Sequence, residues 1–345
     1  MNYLRNHKTL LILVAVIGIT ASGLMLNAFI LPNLNGNGNK KQYLFVYPEQ
    51  TWSDVINTLT EMEVVNSTFS LKLAIALKYA DMPPKTGKYD IEPNLSNRYL
   101  LNRIAHGLQS KIILRVVSTR NTQQVARNLS RQLMVDSTSL MKQFHNPTLL
   151  KKYELTPTNS LCLFLPFNAE ITWDTPIEEI IQLIEKEYTT FWNDNRKQLA
   201  KKINLTPSEI HILASIVEEE TNNFEDKKMV AGLYINRLRK DMLLQADPTV
   251  RYATGNFSLN RILKRHLAIN SPFNTYIYKG LPPAPIRIPT QESIDAVLNY
   301  TKHPYVYMVA KSDFSGTHNF SRTFDEHLRK ARAYQKQLNK RGIFE

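Results

Sequence analysis

The chain has 345 residues, of which 43% are hydrophobic and 21% charged; this is ordinary globular composition, with length enough for two cored domains. A single cysteine, Cys162, excludes an internal disulfide and any multi-cysteine metal site; no metal or cofactor is expected. The net charge of +13 suits an anionic partner, but no nucleic-acid module accompanies it.

Residues Thr9 to Leu31 form an uncharged apolar run of 23 residues, long enough to span a bilayer. Arg5 and Lys8 precede it and favour a cytoplasmic N-terminus. The run is long for a cleaved signal peptide and lacks a clear small-x-small site. The reading is a cytoplasmic tail (1–8), an uncleaved transmembrane anchor (9–31) and a body outside the cytoplasm. An exported body has no access to cytosolic nucleotides, which argues against kinases, dehydrogenases and DNA binding. Pro32 to Asn39 then read as a flexible linker, within 32–42.

Strands are predicted at Tyr43–Tyr47 and Gly87–Ile91, with helices at Trp52–Val64 and Phe69–Tyr79 between them. This β-α-α-β order is typical of small carbohydrate-binding LysM modules, and the module is placed at 43–108. A helix over Asn94–Leu108 ends near Gly107. A faint repeat follows at an offset of 70 residues. It aligns Val46 with Val116, Val55 with Val125, Leu59 with Leu129, and Asn66-Ser67-Thr68 with Asp136-Ser137-Thr138. Both copies read strand, helix, capped helix.

The rest, 109–345, reads as one α+β domain. Leu161 to Pro166 are a short buried strand or core segment. A long amphipathic helix carries Ile177, Ile180, Ile181, Ile184, Tyr188 and Phe191 on one face. Another helix spans Asp226–Lys240. Two irregular stretches, Leu244–Tyr252 and Ser271–Pro285, are polar and proline-rich, the kind of stiff loop on which binding residues concentrate. Strands at Tyr305–Ala310 and His318–Ser321 and a helix from Phe324 close the chain.

The chemistry centres on the helix between these segments. Thr206 caps it, Pro207 fits its first position and Glu209 completes a capping box. Ile210, Leu213, Ala214 and Val217 form one apolar stripe. At about 100° per residue, Glu219 falls opposite the stripe, Glu218 beside it and Glu220 within it. A carboxyl drawn toward a core has a raised pKa and can hold a proton near neutral pH, as a general acid requires. An acidic run at a helix end is more often a solvated face, so spacing nominates Glu220 and no more.

The stretch from Leu213 to Arg322 resembles the YceG-like family of endolytic murein transglycosylases. The resemblance is carried by Ala214-Ser215-Ile216-Val217-Glu218-Glu219-Glu220-Thr221, Val230-Ala231-Gly232 and Ile235-Asn236-Arg237-Leu238. It continues through Gln245 with Asp247-Pro248-Thr249-Val250, Asn274-Thr275-Tyr276, Gly280-Leu281-Pro282-Pro283, and finally His318, Phe320, Ser321 and His327. The chain departs from the family pattern at Pro166-Phe167-Asn168-Ala169, at Ile288-Pro289-Thr290 and at Gly316-Thr317. The resemblance implies an N-terminal anchor, a LysM-like module and a catalytic acid at Glu220.

It also implies cleavage of the β-1,4 bond between N-acetylmuramic acid and N-acetylglucosamine in peptidoglycan, without water, leaving a 1,6-anhydro end. Such an enzyme limits or releases nascent glycan strands and has cell-wall synthases as expected partners. Gln245, Asp247, Thr249, Asn274, Tyr276 and His318 are its candidate substrate-binding residues. For Gln245, Asn274 and Tyr276 the alternative is loop-fixing hydrogen bonds, for Asp247 a turn role, and for His318 a satisfied strand end. Two other readings stand: a two-carboxylate muramidase with Asp247 as partner, and a non-catalytic peptidoglycan-binding scaffold.

Overall fold

The computed structural model describes residues 2–35, 41–259 and 262–340. Contacts divide the chain into two compact units, 1–113 with 170–175, and 114–169 with 176–345. Among the described residues, the architecture mixes helices with three two-stranded sheets, which is the expected α+β class.

The first unit begins with α1 (Asn2–Phe29), whose His7–Phe29 stretch is long and apolar enough to cross a membrane. Then come β1 (Gln42–Val46), α2 (Trp52–Glu61), α3 (Thr68–Ala74), β2 (Gly87–Ile91) and α4 (Asn97–His106). The strands pair antiparallel, Gln42 opposite Ile91 and Val46 opposite Gly87. Helix starts are written locally: Thr51 and Asp54 form a capping box, and Ser67 and Ser96 cap α3 and α4. Gly107 ends α4 at φ +67°, a left-handed position that costs glycine nothing. The core holds Leu44, Val46, Leu59, Leu71, Tyr79, Tyr89 and Leu101, all buried.

One expectation is corrected here. Asn33 and Leu34, read as flexible linker, are buried in this core. Pro32 bridges to Ser96 and Leu34 to Val65. Composition marked the segment as loop, but one leucine with a place in the core is enough to order its neighbours. The remainder of that stretch, 36–40, lies outside the described residues.

Next come β3 (Ile112–Val116), α5 (Thr122–Ser130), α6 (Ser137–Phe144), α7 (Pro147–Lys152) and β4 (Phe167–Ile171), with β4 paired to β3. β3 begins 70 residues after β1, and α5 begins 70 after α2. The strand-helix-helix start of the faint repeat is therefore present, but a third helix, α7, precedes the closing strand β4. Between α7 and β4, Ser160–Leu163 form a buried 3-10 turn rather than a strand, and burial pushes the Cys162 thiol pKa well up.

The second unit continues with α8 (Ile177–Phe191), α9 (Asp194–Ile203), α10 (Pro207–Glu220), α11 (Phe224–Arg239), α12 (Asp247–Thr254) and α13 (Lys264–Leu267). It closes with α14 (Gln291–Leu298), the hairpin of β5 (Tyr307–Ala310) and β6 (His318–Ser321), and α15 (Phe324–Lys340). The expected capping box of Thr206 and Glu209 opens α10. Every residue from Ile210 to Val217 is buried, with α11 and α14 packed against the helix. α10 is thus a central helix, covered all round, and not the one-faced helix its spacing suggests. Ser215 ties the proline-rich loop to it by accepting the Ile286 N–H at 3.0 Å.

Candidate active site

Because α10 has no solvent face at its centre, its three glutamates emerge together at one end and are separated by their partners. Glu218 accepts the Thr290 N–H at 2.5 Å and its hydroxyl at 2.9 Å, with Arg287 at 3.5 Å. Glu219 pairs with Arg287 at 2.7 Å and Arg120 at 3.1 Å, its side chain 10% exposed. It does not point to solvent, contrary to the helix-phase reading. The phase argument assumed a wet face that α10 lacks.

Glu220 differs from both. Among the described residues no cation touches it, and its recorded hydrogen bond comes from the Tyr234 hydroxyl at 2.5 Å. Burial raises its pKa to about 6, against the opposing pull of the Tyr234 bond and of the His318 and Arg251 charges; the nearby Asp247 adds to the rise. Its place at the C-terminal end of α10, where the helix dipole is negative, works the same way. The result is a carboxyl able to hold or release a proton close to neutral pH.

The loops bring several candidates to this carboxyl. Asp247 and Arg251 sit on α12, and both act electrostatically on Glu220. The exposed Asp247 carboxylate accepts the Tyr276 hydroxyl at 2.6 Å, and Tyr276 itself feels the Glu220 charge. His318, on β6, is held by Asp226: Nδ1 lies 2.7 Å from one carboxylate oxygen, and the His318 N–H donates to the other at 3.0 Å. Burial opposes ionisation of Asp226, but the His318 bonds outweigh it and keep the carboxyl below its ordinary range. With Nδ1 engaged, Nε2 is the ring nitrogen left for other chemistry.

Three further candidates are committed to the scaffold. Thr249 is fully buried, its hydroxyl shared between the Ala246 carbonyl at 2.7 Å and Thr275 at 2.8 Å. Asn274 is fully buried too. Its amide donates to Leu267 and Ile269, both at 2.9 Å, and its oxygen accepts the Tyr276 N–H at 3.0 Å. Gln245 is exposed, sits at φ +51°, donates its N–H to Thr275 and accepts Arg237 at 3.1 Å. These bonds fix the loops from which Asp247 and Tyr276 project.

Sequence reasoning missed Tyr234, Asp226, Arg237 and the Arg120–Arg287 pair. Asn236 and Arg237 lay within a motif already noted, but their task was not legible. Asn236 donates to the carbonyls of His303 and Tyr305, at 2.6 and 3.0 Å. The buried Arg237 donates to Val306 at 2.6 Å and to Leu243 and Leu244 at 3.0 and 2.8 Å. Together they clamp the start of the β5 hairpin and the approach to α12. Tyr234 is buried on α11 along with Val230 and Leu233.

Fold and site define an α+β protein in which, among the described residues, a buried carboxyl at the end of a central helix is bonded by a tyrosine and touched by no cation. The YceG-like family model matches residues 44–333, and the chain belongs to that family. It is 36% identical over 176 residues to the endolytic murein transglycosylase of Bacillus subtilis strain 168, covering 51% of this chain and 47% of that protein. It is 34% identical over 143 residues to the endolytic murein transglycosylase of Streptococcus pneumoniae D39, covering 40% of this chain and 25% of that protein. The chain thus spans about half or less of the length of these relatives. A crystal structure of a YceG-like protein from Listeria monocytogenes superposes with a TM-score of 0.51 at 26% identity, over 84% of this chain and 99% of that one.

Proposed function

We propose that the chain is a membrane-anchored endolytic lytic transglycosylase that cleaves the bond between N-acetylmuramic acid and N-acetylglucosamine in peptidoglycan. The observation that carries this reading is Glu220: of three adjacent glutamates, it alone is touched by no cation among the described residues, and burial raises its pKa to about 6. The protonated carboxyl gives its proton to the glycosidic oxygen as the C1–O bond breaks. The muramyl 6-hydroxyl closes on C1, and the same carboxylate takes the hydroxyl proton. No second carboxylate is consumed, unlike ordinary glycoside hydrolysis. Asp247, bonded to Tyr276, and His318, braced by Asp226, flank the sugar subsites, and Gln245 helps to brace them through Arg237. Thr249 and Asn274 hold those loops in shape.

The apolar stretch of α1 anchors the body on the outer side of the cell membrane, where the enzyme limits or releases new glycan strands beside the synthases that make them. The LysM-like reading of 43–108 rests on its β-α-α-β order, and the module holds glycan near the membrane. Deleting it should weaken binding to purified sacculi; unchanged binding refutes that role. Product analysis tests the reaction itself. Digested peptidoglycan should end in 1,6-anhydro muramyl groups, about 18 Da lighter than hydrolysed ends, the mass of the water left out. Reducing ends would show instead that Asp247 activates water, as in a muramidase.

A further inference from the structure

The end of α1 is not a free tether. A helix leaves its last carbonyls without intrahelical partners, and two of those on α1 are taken by side chains from other helices. The Ser70 hydroxyl, on α3, donates to the Asn27 carbonyl at 2.9 Å, and the Asn97 amide, on α4, donates to the Ala28 carbonyl at 3.1 Å. Asn97 is fully buried and joins the two contacts by donating to Ser70 at 2.9 Å. Its oxygen accepts the Asn33 amide at 2.8 Å, and Asn33 in turn exchanges bonds with the backbone of Ser67 at 2.9 and 2.7 Å. Ala28 and Leu34 are fully buried in the core of the unit. This satisfied polar cluster fixes how α1 leaves the module, because breaking any member strands a buried polar group.

From His7 to Asn27, α1 is bare. Side chains from Leu10 to Leu26 are 42–74% exposed where large and apolar, and burial starts only at Ala28. The 23 residues from His7 to Phe29 rise about 34 Å, slightly more than a hydrocarbon core of about 30 Å. Once α1 spans the bilayer, the locked junction at Asn27–Ala28 falls at its surface. The side chains next to the junction residues then have a chemistry suited to that layer. Phe69 precedes Ser70 and is 65% exposed, and Tyr99 follows two residues after Asn97 and is 49% exposed. Ile30 and Leu31, beyond the helix end, are exposed as well. Lys72 and Arg98 are exposed on the same two helices, α3 and α4. Aromatic rings and basic side chains are what the headgroup layer of an anionic membrane selects.

We infer that the first unit is seated on the bilayer: the junction holds α3 and α4 against the membrane surface, with Phe69 and Tyr99 in the headgroup layer and Lys72 and Arg98 against anionic lipid phosphates. This rests on the anchor reading of α1, and the experiment separates the two. The full chain is reconstituted in vesicles of phosphatidylcholine with phosphatidylglycerol. Nitroxide labels are placed one at a time through Val16→Cys, Phe69→Cys, Tyr99→Cys and Glu49→Cys; Cys162 is buried and is not labelled in the folded protein. Collision rates with oxygen and with a water-soluble nickel complex report depth. Val16 should lie deep in the lipid. At 69 and 99 the nickel collision rate should be several-fold lower than at 49, and the pair Lys72→Glu with Arg98→Glu should raise it toward the value at 49. A water-exposed label at 16 overturns the anchor. A deep label at 16 with labels at 69 and 99 as nickel-accessible as at 49 overturns the seat and leaves the anchor intact. Depths unmoved by the charge reversal overturn the role of lipid phosphate.

Discussion

The protonation of Glu220 is set by a contest between burial, which raises its pKa, and the Tyr234 hydroxyl, which steadies the anion. Tyr234→Phe removes the steadying bond, so the pKa should rise further above 6. Because the general acid must be protonated in the free enzyme, the fall in kcat/KM on the alkaline side should move to higher pH, with a lower maximum from the less well-held carboxyl. A pH profile of glycan cleavage checks this; an alkaline limb that stays put or moves down contradicts it. Glu219 has the opposite character. Glu219→Gln leaves Arg120 and Arg287 without their shared carboxylate, and should cost about 1–3 kcal/mol of stability, read by denaturant unfolding. Helix spacing nominated Glu220 and placed the capped start of its helix, because both depend only on local pattern. It could not tell Glu219 from a solvated side chain, because Arg120 lies 99 residues away in sequence and Arg287 lies 68.

Elements bring these residues together through close backbone contacts that leave little trace in local pattern. Gly232, on α11, faces the chain after α14: a Cβ there would stand 2.3 Å from the Thr301 carbonyl oxygen and 2.8 Å from the His303 ring. The same contact carries the Thr301 N–H to the Lys228 carbonyl at 3.1 Å and the His303 ring to the Met229 carbonyl at 2.9 Å. Gly232→Ala must push these backbones apart, at a cost of about 1–3 kcal/mol. Unfolding midpoints measure it, and an unchanged midpoint contradicts the packing argument. Many strand and helix positions, the capping box of α10 and the 70-residue echo were legible because each is written in neighbouring residues, whereas β4 and α14 were not. The burial of Leu34 and the all-round covering of α10 were not, since which face of an element is covered depends on partners far along the chain. The candidates of the 244–285 loops split for the same reason. Polar residues in a proline-rich stretch look alike in sequence, whether they pair with each other near Glu220, like Asp247 and Tyr276, or bind the loop's own carbonyls, like Asn274.

At the scale of the whole molecule, the chain comprises an apolar helix, a module locked to its end and a second unit built around α10. Family membership fits this arrangement, and the proposed reaction depends on a single proton-carrying group within it. Glu220→Gln keeps the size of the side chain and can still accept the Tyr234 hydroxyl, but it cannot exchange a proton. The most direct measurement compares the purified chain with Glu220→Gln on intact peptidoglycan, scoring released 1,6-anhydro ends by mass spectrometry alongside unfolding midpoints and sacculus binding. The expected result is a loss of at least about 10²–10⁴ in rate, with midpoint and binding nearly unchanged. Full cleavage by Glu220→Gln, with the same 1,6-anhydro product, would contradict the assignment of this carboxyl as the catalytic acid.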